Sequence, residues 1–153
     1  MSALALRRDP YRSGCTGARF AALVFTIPAN NTFMAQPMAM LLRHAGKSPP
    51  ASGQPGIFAL GGDGVLERLM RNAGLVDVKT RTLRASLRLS SASAGLEMMQ
   101  QAFGAYRAVV ADLSDTERST AWREVYECLK QFEKSDGFET EFEFIIGSGA
   151  KPR

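Results

Sequence analysis

Arg19-Phe20-Ala21-Ala22-Leu23-Val24-Phe25-Thr26-Ile27, followed downstream by Leu60-Gly61-Gly62-Asp63-Gly64-Val65-Leu66-Glu67-Arg68-Leu69-Met70-Arg71-Asn72-Ala73-Gly74-Leu75-Val76-Asp77-Val78, decides how this 153-residue chain is read. The first stretch is a nearly continuous apolar run rich in Ala, Val and Phe. That is the pattern of a strand covered on both faces, and it predicts a central strand. The second stretch starts a helix, stops it and enters another strand. Asp63 is placed to cap the helix, and Val65, Leu66, Leu69, Met70 and Ala73 share one face. Gly74 is the left-handed residue expected after the last turn, with Leu75 set for the accompanying apolar contact.

Working outward, Ala3 to Arg8 is a short helix-like piece that Pro10, Gly14 and Gly17 prevent from continuing. Pro28 ends the first strand and Ala29 to Thr32 form a turn. Phe33, Met34, Met38, Leu41, Leu42 and Ala45 then recur at helical spacing, with Pro37 expected near the first turn, where proline is tolerated. Gly46 to Gly56 is a loop and Ile57 to Leu60 a short extended piece. Val76 to Leu83 alternates as a strand, with Asp77, Lys79 and Arg81 on its charged face. A helix over 92–112 carries Leu96, Met99, Phe103, Tyr106 and Val110. A second opens on Ser114-Asp115-Thr116-Glu117, a capping box, and should bury Trp122, Val125, Leu129 and Phe132. Asp136-Gly137 turns into a last strand, Glu139 to Ile146, with Thr140, Phe142, Phe144 and Ile146 on one face and Glu139, Glu141 and Glu143 on the other.

A chain of this length with 45% hydrophobic residues buries one core. The longest apolar run falls far short of the roughly 18 residues of a membrane span, so a soluble, cytoplasmic protein is expected. Cys15 and Cys128 fit no metal-ligand spacing and are read as reduced thiols. Residues 1–88 hold 12 Lys/Arg against 4 Asp/Glu, and residues 89–153 hold 7 against 11, so the halves attract. The basic residues are spread over strand, loop and helix, which argues against nucleic acid as a partner.

Several linked phrases carry a resemblance. Arg19-Phe20 follows Cys15-Thr16-Gly17-Ala18, where a Pro-Gly-Gly turn would stand. Pro28-Ala29-Asn30-Asn31-Thr32-Phe33 is similar to a Pro-x-x-Asn-Pro-Phe turn. Gly56-Ile57-Phe58-Ala59-Leu60-Gly61 leads to Leu66 and Asn72-Ala73-Gly74-Leu75, and Gly137-Phe138 precedes Phe142. In this order they resemble the C-terminal part of class I S-adenosylmethionine-dependent methyltransferases, of the small-molecule type-11, quinone-biosynthesis-like group. The resemblance covers residues 19–149, between an irregular segment 1–18 and a tail 150–153. It implies an α/β fold, a partial Rossmann-like sheet of the fifth to seventh strands, with helices inserted and the last strand antiparallel between its two predecessors. Residue by residue, charge supports that placement if Lys79 and Arg81 lie across from Glu141 and Glu143.

The resembled enzymes bind cofactor on a glycine-rich turn after a first strand and an acid ending the second. Neither precedes Arg19, so the chain is expected to lack the N-terminal cofactor-binding half, to bind no S-adenosylmethionine by itself and to be inactive alone. Gly61-Gly62-Asp63-Gly64 is the one local imitation, more simply a capped helix start. What the resemblance implies here is the acceptor side of a small-molecule pocket, with Phe25, Asn31, Phe33, Met34, Phe58, Met98, Met99 and Tyr106 as candidates. Methionines and aromatics at helical spacing, Met99 and Phe33 among them, are more simply read as core. Tyr106, Asn31 and Phe25 are expected around one cavity. No catalytic residue and no metal ligand stands out. His44, the sole histidine, reads as a helix C-terminal charge rather than a base. The alternatives are a standalone α/β binding or dimerisation module, self-associating through an exposed sheet edge, and a small protein that binds an apolar ligand.

Overall fold

The computed structural model describes residues 16–50 and 54–152, so the expectations for Ala3 to Arg8 and Cys15 lie outside the described residues. Among the described residues the fold is mixed α/β, with five α-helices and a four-stranded antiparallel sheet. They form two compact units: a sheet unit of residues 16–30, 54–84 and 143–152, and a helical unit of residues 31–49 and 85–142.

The sheet unit contains β1 (Arg19–Phe25), α2 (Val65–Asn72) and parts of β2 (Val76–Leu89) and β4 (Gly137–Ala150). The order is β1-β4-β2, with β4 antiparallel to β1 in a register from Arg19↔Ala150 to Phe25↔Phe144. The last strand thus lies between its two predecessors, as expected. The expectation of a central, doubly covered β1 is corrected: among the described residues β1 ends the order, and its burial alternates. Phe20, Ala22 and Val24 pack with Leu66, Met70, Val78, Leu75 and Ile145, while Leu23 on the other face is 57% exposed. The apolar run records composition but not which face a helix covers.

Gly147 lets α2 settle on β4, and Gly149 sits close against Leu75 and Val78 at the start of β2. A Cβ on Gly147 would lie 2.8 Å from Met70 Sδ and 2.9 Å from Leu66 Cδ2, and one on Gly149 3.2 Å from Leu75 Cβ. The helix starts at Val65 after Gly64 at φ 65°, so Asp63 is not its cap. Its end is as expected, with Gly74 at φ 86° and the Leu75 amide bonded to Met70 O at 3.1 Å. Ile57 to Leu60 forms successive turns, with Gly61 N donating to Phe58 O at 3.0 Å, instead of an extended piece. β2 runs six residues beyond Leu83. Its cross-strand ion pairs are therefore Arg84–Glu143 and Arg88–Glu139, both at 3.0 Å, not Lys79 or Arg81 with Glu141 or Glu143. The tail boundary also shifts, since Ala150 belongs to β4 and Lys151 N donates to Ala18 O at 2.8 Å.

The helical unit contains α1 (Thr32–His44), α3 (Ala92–Ala102), α4 (Gly104–Val109), α5 (Asp115–Leu129) and the two-residue β3 (Glu133–Lys134) paired with the start of β4. Phe33 is its aromatic centre, meeting Phe132, Phe138 and Phe142 edge-on at 6.0, 5.8 and 5.7 Å. Pro37 sits in the second turn of α1, not the first, and is buried. It leaves the Phe33 carbonyl without the amide that any other residue would supply. The helix expected over 92–112 breaks at Phe103 (φ −106°, ψ 89°), next to Gly104. Arg107 Nη1 takes up the freed carbonyls of Gln100 and Gln101, each at 2.6 Å. The Ser114–Glu117 capping box forms as expected. The buried stripe of α5 is Ala121, Val125 and Leu129, so Trp122 lies one position off it and is half-buried. β4 does not keep one alternation either: Phe138 and Thr140 are buried in the helical unit, Glu143, Gly147 and Gly149 in the sheet unit.

Replacing Gly147 by Val forces side-chain atoms into Leu66 and Met70 and should cost about 1–3 kcal/mol. Urea unfolding reads this as a lower midpoint at unchanged slope, with the exposed neighbour Ser148→Val close to neutral.

Candidate functional site

Where β1 gives way to the 3-10 turn Pro28–Asn30, the sheet unit gathers its polar side chains on Glu143 of β4. Thr26 donates its amide to Glu143 O at 3.0 Å and its hydroxyl to Glu143 O and Oε1 at 3.2 and 3.1 Å. Asn30 Nδ2 donates to Oε1 at 2.5 Å and Arg84 Nε to Oε2 at 3.0 Å. Glu143 is 9% exposed. The Arg84 bond first, then the Asn30 bond, hold its carboxyl below the ordinary carboxylate value. A carboxylate whose lone pairs are taken by three side chains, and whose proton affinity is lowered, is a poor general base. Its arrangement fixes the end of β1.

Phe25 and Phe58 lie beside this cluster, half-buried, with ring centroids 6.0 Å apart, and Phe25 meets Phe144 at 4.8 Å. Gly61 closes it from behind: a Cβ there would stand 2.4 Å from the carbonyl oxygens of Phe25 and Thr26. The glycine serves close backbone packing. In the Gly61 to Gly64 turn the first glycine thus backs onto the chain's own carbonyls and Gly64 starts α2, the plain helix start also read from the sequence.

The other candidates belong to the helical unit. Asn31, Phe33, Met34, Met99 and Tyr106 are all buried, and Met98 is half-buried. Tyr106 donates to Met34 O at 2.7 Å and contacts Met34 Sδ at 3.7 Å, and its ring meets Phe103 at 5.7 Å. Burial pushes its phenol well above the ordinary range. Phe33, Met34, Met99 and Tyr106 are packed inside the helical unit, in keeping with the core reading of their helical spacing. Asn31 precedes α1 and accepts from the Met34 and Ala35 amides through its carbonyl, at 3.0 and 2.9 Å.

His44 is held by Glu124 (Nε2 to Oε2, 2.6 Å), which also pairs with Arg43, so it ties α1 to α5. Those two partners hold the Glu124 carboxyl low, Arg43 contributing more. Burial pushes the Cys128 thiol up, leaving little thiolate. Among the described residues no group of three His, Cys, Asp or Glu is placed to hold a metal, and no helix is long and apolar enough to cross a membrane.

Sequence reasoning missed Thr26, Asn30 and Arg84, and read Glu143 with Glu139 and Glu141 as one strand face set against basic neighbours. Glu143 does have a basic cross-strand neighbour, Arg84, but it is buried where Glu141 is exposed. The available signal was Thr26, the one polar residue in an otherwise apolar run.

Compared with known proteins, the chain matches no family model and no curated protein.

Glu143→Gln should lower the urea midpoint at neutral pH. A depressed folded-state value means that the carboxylate's contribution is complete above its ordinary 4.5 and is lost as pH falls through the lower folded value. The gap between parent and variant should accordingly close as unfolding is followed into acid; a gap that is constant with pH contradicts this role. Tyr106→Phe should cost about 1 kcal/mol in the same assay, the worth of one buried hydrogen bond.

Proposed function

We propose that this chain is the acceptor-side part of an S-adenosylmethionine-dependent small-molecule methyltransferase, with a partial Rossmann-like sheet, that works in the cytoplasm and is inactive as these 153 residues alone. The observation that supports this reading is the strand order: β4 lies antiparallel between β1 and β2, the placement that the resemblance implies for its last strand. Strand order is an analogy of fold, and chemistry has to come from a site.

Methyl transfer is displacement at a sulfonium-activated carbon, and the activation is the cofactor's. An acceptor-side segment has to hold its substrate in line and keep water away. With the helical candidates committed to core, that task falls to Phe25 and Phe58, two half-buried rings beside an organised hydrogen-bond cluster. Calorimetric titration of the chain with S-adenosylmethionine should give no saturable heat. Stoichiometric micromolar binding would overturn the reading.

A second reading, a self-associating module, is favoured by one observation. Leu23 and Ile146 are cross-strand partners on the face away from α2 and are 57% and 37% exposed. Apolar pairs left in water favour burial against another surface. Sedimentation should show a concentration-dependent dimer that Leu23→Lys abolishes; a monomer at every concentration removes this reading.

A further inference from the structure

The helical unit carries a groove of about 390 Å³, lined by Gln100 of α3, Arg107 of α4, Val110 and Ala111 after it, and Arg118 and Trp122 of α5. Its volume is that of a small-molecule site. Most of the polar groups along it are donors, the Gln100 amide oxygen being an acceptor. Arg107 spends Nη1 on the Gln100 and Gln101 carbonyls, which anchors the guanidinium. The edge formed by Nε and Nη2 makes no hydrogen bond to any described residue. That edge is the one that meets a carboxylate through two parallel bonds. Anchoring it beforehand removes most of the entropy cost of using it.

Arg118 is occupied: Nε donates to Val110 O, Nη2 to Ala111 O and Leu113 O, and Nη1 to Asp115 Oδ1. Four of its five N–H donors are taken, so it contributes mainly positive charge. The indole N–H of Trp122 and the side-chain amide of Gln100 have no partner among the described residues. None of the six lining residues is acidic, while Val110, Ala111 and the Trp122 ring supply apolar surface. An excess of donors with no carboxylate among the lining, one free guanidinium fork and a flat aromatic wall together specify an anion on an apolar body.

We infer that this groove binds a small organic acid, one carboxylate carried on an aromatic or alicyclic body. The carboxylate sits on the Nε/Nη2 edge of Arg107, and the body lies against Trp122 and Val110. This site is independent of the methyltransferase reading and stands or falls without it.

Trp122 is the only tryptophan, so a ¹⁵N-labelled sample of the chain gives a single indole resonance. Phenylacetate should shift that resonance saturably. Phenylacetamide, of the same shape without the charge, should bind at least about tenfold more weakly, as expected when a charged hydrogen-bonded pair is lost. Arg107→Lys, which keeps the charge and loses the fork, should weaken phenylacetate by a similar factor, and the rest of its spectrum reports whether it is folded. Equal shifts with the acid and the amide on the unaltered chain overturn the proposal, as does a linear, unsaturable response. Undiminished binding by folded Arg107→Lys overturns it as well.

Discussion

A carboxylate cannot be buried at the end of a sheet unless its charge is met, and the sheet unit is arranged around meeting that of Glu143. Thr26, Asn30 and Arg84 come from three places in the sequence, and each reaches the same side chain. Their bonds fix where β1 stops, how the 3-10 turn leaves it and where β2 lies along β4. Gly61 belongs to the same construction, because only a residue without a Cβ can back onto the carbonyls of Phe25 and Thr26. The helical unit has a different organising element, the Phe33 ring surrounded by Phe132, Phe138 and Phe142, and it binds its helices through one buried phenol, Tyr106, whose hydroxyl ends on the α1 backbone.

What could be read from sequence was what is decided locally. The Ser114–Glu117 box and the Gly74 stop each depend on a few consecutive residues, and both are present. The strand order was legible too, through a resemblance between phrases rather than through any single motif. Misreadings arose where distant packing overrides local pattern. The apolar run of β1 did not say that only one of its faces has a helix on it. The helix over 92–112 has an unbroken apolar period, yet Gly104 and the Arg107 contact with α3's last carbonyls favour a break. Glu143 was indistinguishable from Glu139 and Glu141 by alternation, because alternation assigns a face and does not say how wet that face is.

The site candidates divided along the same line. Methionines and aromatics at helical spacing signal burial, and Phe33, Met34, Met99 and Tyr106 are buried. The groove on the helical unit instead depends on arginines that period-based reading treats as solvated surface, and on Trp122 being one position off the α5 stripe. A rotation of that size along a helix separates a core residue from a wall of a cavity, and hydrophobic periodicity does not resolve it.

The close fit of α2 over Gly147, and of Leu75 and Val78 against Gly149, also bears on how the chain reaches this state. Gly-Ser-Gly has little preference of its own for an extended backbone, so the end of β4 gains its order from what covers it. Its partner strand is at the far end of the sequence: Thr26 and Glu143 are separated by 117 residues. Closing such a long loop costs entropy before any contact compensates for it, and topologies dominated by distant pairings assemble slowly. On these grounds the pairing of β1 with β4 is expected to form late, and before it forms the apolar positions of β1 would have no neighbouring strand to lie against. Folding of this chain is a competition between the return of its own C-terminal end and the capture of that segment by another molecule.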